Sequence, residues 1–191
     1  MSGSRVPWQR LLIEGMTAAS ELISEDIRAD FLIIGGAALI QYGSNRFTRD
    51  IDIAITPQTL HAFEEKARKD PRFKLHSDGH WAYTAQGSEV EDLVVEFKFL
   101  AVGNEFVPKM RGMTRFDPIW VASLADIAVM KARAYRDRDE PRDKEDLLYV
   151  LGEMKKTGQT LGQYGVEESE ITVIRSALSE GVRNGLSQMM G

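Results

Sequence analysis

The sequence predicts an α/β (α+β) fold: a mixed, twisted β-sheet flanked by helices, with a helical C-terminal third. Three observations carry this. Short β-rich runs at 31–34, 51–55 and 93–100 alternate with segments of helical spacing. From Ser123 onward the chain shows only helical patterns and a glycine-bounded link. Breakers such as Gly43, Thr56-Pro57 and Asp70-Pro71 punctuate the elements. Strands and helices mixed in this way bury their apolar faces as helices around one sheet. The expected division is a core with an N-terminal helix at 1–122 and a helical part at 123–191, packed as one structural unit.

Each element has a local reason. Residues 8–27 place Leu11, Leu12, Met16, Ala19, Ile23 and Ile27 at helical spacing. The run 31–34 ends in Gly35-Gly36, and a short helix follows to Tyr42, stopped by Gly43. Residues 51–55 read as a strand, and Pro57 suits the first turn of the next helix, to about Lys69. Residues 73–75 and 81–85 read as two strands joined by a turn at 77–79. The segment 102–121 reads as irregular with one short strand near Ile119. Ser123 is a helix N-cap with Asp126 at the third helical position. That helix runs to about Arg136, a second spans 141–155, and a last one runs from Glu167 to about Leu186, with a fraying tail. The residues 158–165 form a flexible link.

Composition narrows the function classes. The 191 residues are 43% hydrophobic and 28% charged, an ordinary globular balance. A net charge of −5 gives no global positive field for nucleic acid. With no cysteine, disulfides, thiol catalysis and cysteine-ligated zinc are excluded, which fits a reducing, cytoplasmic compartment. MSGSRVPWQR lacks the apolar core of a signal peptide, and no run approaches the roughly 18–20 apolar residues of a membrane span.

The chemistry is concentrated in FLIIGGAALIQYGSNRFTRDIDIAI, Phe31 to Ile55. Residues two apart on a strand share a face. Extended from Arg46, that alternation puts Arg46, Thr48, Asp50 and Asp52 on one face and Phe47, Ile51, Ile53 and Ile55 on the core face. Two carboxylates so placed are roughly 6.5 Å apart by Cα and repel unless a cation lies between them. Mg²⁺, with Mn²⁺ as its alternative, takes such oxygens and keeps several waters. The later strand repeats the device. Leu93, Val95, Phe97 and Phe99 form an apolar face, opposite Asp92, Val94, Glu96 and Lys98. If Glu96 neighbours Asp52, three carboxylates converge and can hold two metal ions. Against this stands the plainer reading that half-exposed strands carry polar residues on their solvent side. Gly35-Gly36 admits two readings as well, a backbone cradle for phosphate or a tight strand-to-helix turn.

Apolar strand, Gly-Gly, short helix, then Asp-x-Asp with thirteen residues between Gly36 and Asp50, then a strand with an embedded Glu, resembles the nucleotidyltransferase superfamily with the polymerase-β-like fold. IGGAALIQYGSNRFTRDIDIAI is similar to the signature of AbiEii-like and minimal nucleotidyltransferases. The resemblance implies that Gly35 and Gly36 hold NTP phosphates, that Asp50 and Asp52 bind Mg²⁺, and that Glu96 is a further metal ligand or general base. Arg46 and Thr48 fall on the Arg-x-Thr of that signature, and Asp92 competes with Glu96 for the third acid.

Two helices add information. Leu124, Ile127, Ala128 and Tyr135 form the apolar stripe of the first, with Lys131 in its middle and Asp126 and Arg133 opposite, toward solvent. Leu147, Val150, Leu151 and Met154 form the stripe of the second, with Asp143 inside it and Glu145 and Asp146 outside. An inward lysine must snorkel or meet an anion. That anion is either Asp143, in a structural ion pair, or a triphosphate reached by Lys131 and Arg136. KARAYRDRDEPRDKEDLLYVL is similar to an AbiEii-like stretch in which the lysine and first aspartate, here Lys131 and Asp143, are implicated in activity; Arg136 and Asp146 match further positions. His76, Asp78 and His80 read as decoration of a hairpin turn, and Lys66, Arg68, Lys69, Arg72 and Lys74 as a solvated basic helix end.

The expected activity is therefore transfer of an NMP from an NTP to an acceptor hydroxyl on RNA, protein or a small molecule, releasing pyrophosphate. The alternatives are a catalytically silent module of this fold that binds a nucleotide or a protein partner, and a metal-dependent phosphohydrolase on another fold.

Overall fold

The computed structural model describes residues 7–85, 94–103 and 109–178. The expectations for Asp92, Leu93 and the end of the last helix lie outside the described residues. The chain divides into two compact units. The first holds the chain through the fifth strand together with Thr114–Val121, and the second is built from Ala122 onward with the segment just before Thr114.

The first unit opens with helix α1 (Pro7–Leu22) and a 3₁₀ turn at Arg28–Asp30, so the expected helix ends about a turn early. Strand β1 (Phe31–Ile34) leads into α2 (Gly35–Gln41), then β2 (Asp50–Ile55) and α3 (Pro57–Ala67). Thr56 caps α3, its hydroxyl accepting from the Thr59 amide, and Pro57 occupies the first turn, where no amide donor is needed. The hairpin β3 (Phe73–Leu75) and β4 (Trp81–Thr84) precedes β5 (Val94–Ala101). The segment expected to be irregular supplies two strands, β6 (Met113–Phe116) and β7 (Ile119–Ala122). The sheet order is β3-β4-β5-β2-β1-β7-β6. Strand β2 runs antiparallel to β1 and parallel to β5, so the sheet is mixed, as expected.

The two sides of this sheet differ in chemistry. One is apolar and aromatic. Phe63 of α3 meets the rings of Phe31, Phe73, Trp81, Phe97 and Phe99 at centroid distances of 5.1–6.2 Å. Gly15 of α1 lies against Tyr83 and Ile51 on the same side, where a Cβ would stand 3.3 Å from the Tyr83 ring. Truncating Phe63 to Ala should cost about 3–5 kcal/mol in urea unfolding, because its neighbours cannot all close the gap. The other side carries Asp50, Asp52, Glu96 and Lys98, each alternating with these core residues.

The alternation holds only inside the strand. Because β2 begins at Asp50, Phe47 has no ladder to aim it inward, and it is 53% exposed, resting on Trp8 at 5.9 Å. The expected core position for Phe47 is therefore corrected.

The second unit contains α4 (Leu124–Arg138), α5 (Pro141–Lys156) and α6 (Glu168–Ala177). Ser123 caps α4 as expected, accepting from the Asp126 amide at 3.1 Å. Asp126, however, is fully buried rather than solvent-facing. Its carboxylate accepts from the backbone amides of Arg111 and Gly112, from the Ser123 hydroxyl and from the Arg111 guanidinium. Arg111 and Arg133 both reach Glu170 of α6, so one carboxylate ties two cations to the last helix. The expected link at 158–165 contains a 3₁₀ turn at Gly162–Tyr164, held by Thr160, Gln163 and Gln159. Among the described residues no helix is long and apolar enough to cross a membrane.

Candidate active site

The site begins where β1 stops. Ile34 pairs with Asp52 across the antiparallel β1–β2 ladder, so Asp52 stands beside the turn into α2. Gly35 takes φ of +62° there, a conformation that side chains disfavour. A Cβ at Gly35 would also run into the Asp52 carboxylate, lying 3.2 Å from its Cβ and Cγ. Glycine is thus required at Gly35 both for its backbone and for the space Asp52 fills. At Gly36 a Cβ would stand 2.7 Å from Nε of Arg46, so the guanidinium lies directly over that glycine. The turn and the loop after α2 thereby bring together Gly35, Gly36, Arg46 and Asp52.

Thr48 joins from the same loop. It is buried, its carbonyl accepts from the Trp8 indole, and its hydroxyl donates to Oδ1 of Asp50 at 2.9 Å. The hydroxyl fixes one oxygen of Asp50, and Lys98 takes the other: its ammonium donates to Oδ2. Burial pushes the Asp50 carboxyl up, but the bonds from Lys98 and Thr48 outweigh it and hold it below the usual carboxylate range. Asp50 is therefore an anion at neutral pH. The Lys98 ammonium is held above its ordinary range by the bond to Asp50, against burial, with further attraction from Asp50, Asp52 and Glu96.

Glu96 lies next to Asp50, not Asp52, in the parallel β2–β5 register; Asp52 pairs with Lys98. The sequence-based condition that Glu96 neighbour Asp52 is corrected accordingly. Its side chain is exposed, on the same face as the two aspartates. Among the described residues no group of three carboxylates or imidazoles is arranged to hold a metal ion. Asp50 and Asp52 nonetheless suit a hard cation that needs only one or two carboxylates and keeps its waters.

Lys131, Arg136, Asp143 and Asp146 belong to the second unit. Lys131 is buried, and its ammonium reaches Asp143 at 3.0 Å and Asp146 at 2.6 Å. Arg138 closes the cluster on the other oxygen of Asp143 at 2.7 Å. The ion pair between the helices is therefore present. It includes Asp146, which the helical spacing had placed outside the stripe and which is buried. Arg136 is exposed and paired with its neighbour Asp137 at 2.9 Å. His76, Asp78 and His80 form the β3–β4 turn, where the His76 amide bonds the His80 carbonyl and the His80 amide bonds Asp78.

Sequence reasoning missed one participant at the site and one structural cation of the second unit. Lys98 was visible as a same-face residue, but nothing in the spacing showed that its ammonium crosses to Asp50. Arg111 carried no periodic signal at all, because its partners, Asp126 and Glu170, are distant in sequence.

The mixed sheet thus sets the Gly35 turn against Asp52, with Asp50 on the same strand face. The structure is similar over 94% of its length to 92% of an antigenic nucleotidyltransferase-like protein from Paracoccidioides brasiliensis, with a TM-score of 0.61 and 16% identity. A second similar structure, JHP933 from Helicobacter pylori, matches with a TM-score of 0.49 at 16% identity, covering 100% of this chain and 84% of that one. No curated protein matches. The chain belongs to the family described as nucleotidyltransferase of unknown function (DUF6036), whose pattern matches residues 10–156.

Proposed function

We propose that this protein transfers an NMP from an NTP to an acceptor hydroxyl and releases pyrophosphate, as an AbiEii-like enzyme that uses Mg²⁺ or Mn²⁺. The observation that carries the reading is the placement of Asp52 against the Gly35 turn, with Asp50 on the same strand face. Asp50 and Asp52 would hold the ion, which would stabilise the charge on the transferring phosphoryl oxygens and on the departing pyrophosphate. Gly35 and Gly36 lie against Asp52 and the Arg46 guanidinium, and that guanidinium adds a fixed cation for phosphate oxygens at the turn. Thr48 orients Asp50. Glu96, exposed beside Asp50, accepts the proton of the acceptor hydroxyl as its oxygen bonds to the α-phosphorus and the α–β bond breaks. The acceptor is RNA, a protein hydroxyl or a small molecule.

A second reading is a silent module that binds a nucleotide or a protein partner without transfer. What favours it is Lys98, an ammonium resident on Asp50. One assay separates the two. The protein is incubated with each α-labelled NTP, Mg²⁺ and total RNA, or alone. Transfer of label that falls roughly a hundredfold or more in Asp52→Asn supports the enzyme. No transfer, with thermal stabilisation by NTP, supports the module. No transfer and no stabilisation counts against both.

A further inference from the structure

Lys98 is the part of this wall that the proposed reaction does not use. It follows Glu96 by two residues on β5, stands in register with Asp52, and reaches diagonally to Asp50. Its surroundings are acidic: Asp50, Asp52 and Glu96 all draw its charge. The pair is not locked in the core, since the Lys98 side chain is 45% exposed and that of Asp50 26%. A four-carbon stem with an exposed end can swing without disturbing the sheet.

We infer that Lys98 is a built-in counter-ion that occupies the Asp50 carboxylate before a divalent cation does, so that loading the cation requires Lys98 to leave. This positioning role rests on the reading of Asp50 and Asp52 as the metal-holding pair. A divalent cation on Oδ2 of Asp50 would stand against the Lys98 ammonium already there and repel it. The Thr48 hydroxyl stays on Oδ1, so the carboxylate keeps its orientation while its charge partner changes. The displaced ammonium needs a new anion, and a polyphosphate chain is the anion that the proposed reaction brings. Metal and triphosphate then load together: each relieves the charge the other leaves uncovered, and the bare protein holds metal weakly. The ligand class assigned to Lys98 is therefore an inorganic or nucleoside polyphosphate.

The test starts from the bare full-length protein and Mn²⁺, with free ion followed by electron paramagnetic resonance and no nucleotide present. Lys98→Met should bind Mn²⁺ about tenfold more tightly than the parent, and Lys98→Arg no more tightly than the parent. Asp50→Asn should lose most binding in either background. A merely structural lysine would give the opposite sign, because its loss would loosen the wall. A second arm uses inorganic tripolyphosphate in EDTA, followed by calorimetry. Lys98→Met should bind it several-fold more weakly, and Asp50→Asn more tightly, since the ammonium is then released. Unchanged or weaker Mn²⁺ binding in Lys98→Met, with parent binding still abolished by Asp50→Asn, overturns the counter-ion role and leaves the metal pair standing. No Mn²⁺ binding by any variant overturns the metal reading itself. Thermal melts of each variant identify any that fails to fold, and Lys98→Gln then replaces Lys98→Met.

Discussion

Two lysine–aspartate pairs in this protein have the same chemistry and opposite surroundings. Lys131, in the second unit, is buried between Asp143 and Asp146, and Arg138 covers the oxygen of Asp143 that Lys131 does not bond. Lys98, in the first unit, is nearly half exposed and shares its face with three acids. The first pair joins two helices and is saturated by the protein itself. The second lies on one wall of a sheet and has access to solvent. A buried ion pair holds its place because losing either partner strands a charge away from water. An exposed one costs little to open, so it is free to exchange partners. The difference teaches that a lysine–aspartate contact says little until its burial and the remaining oxygens are counted.

The largest way to break the comparison is to delete each lysine. Lys131→Ala leaves Asp143 and Asp146 buried without the ammonium between them, and should cost about 3–5 kcal/mol in urea unfolding. The same change at Lys98 should cost less than about 1 kcal/mol. Equal losses at the two positions would mean that the wall at Asp50 is structural, and the counter-ion role would go with it.

A smaller effect sharpens the site itself. Gly35→Ala forces a side chain into a left-handed backbone and against Asp52, and should cost about 1–3 kcal/mol by the same measurement. The proposed nucleotidyl transfer should fall as well, because Asp52 is the group that must move. Gly79→Ala is the control: its φ is +86° but nothing lies within 4 Å of the added carbon. It should share the backbone cost without touching transfer.

What the sequence revealed follows what is local. The period of two inside β2 placed Asp50 and Asp52 opposite Ile51, Ile53 and Ile55, and Pro57 in a first turn and the cap at Ser123 marked two helix starts, because caps and pleats depend on neighbours in the chain. The errors came from long-range partners. Phe47 was carried along an alternation that needs a ladder, and the ladder starts at Asp50. Asp126 lies on the polar side of a helical wheel, yet the segment at Arg111 and Gly112 covers it and satisfies its oxygens. Asp146 was read from spacing without the lysine that draws it inward. The Glu96 register with Asp50 joins strands far apart in the chain, and no pattern within either strand fixes such an offset.

The smallest effect is the most diagnostic for Asp50 and Lys98. The Asp50 carboxyl is held below its ordinary range because the Lys98 and Thr48 bonds outweigh burial. Its contribution to stability is therefore complete above the unfolded carboxyl value and is lost as pH falls through the lower folded one. Lys98 is held above its range, chiefly by the bond to Asp50, so its contribution is complete below the unfolded ammonium value and is lost as pH rises through the higher folded one. A double-mutant cycle of Asp50→Asn and Lys98→Met should thus show a flat coupling, below about 1 kcal/mol, between about pH 5 and pH 9. The coupling should shrink toward zero in acid as Asp50 takes a proton, and it should also weaken in high salt, since solvent reaches the pair. A coupling that survives acid and salt unchanged would show contacts other than charge at work. In that case Lys98 would resemble Lys131 after all, fixed in place by its surroundings instead of waiting to be displaced.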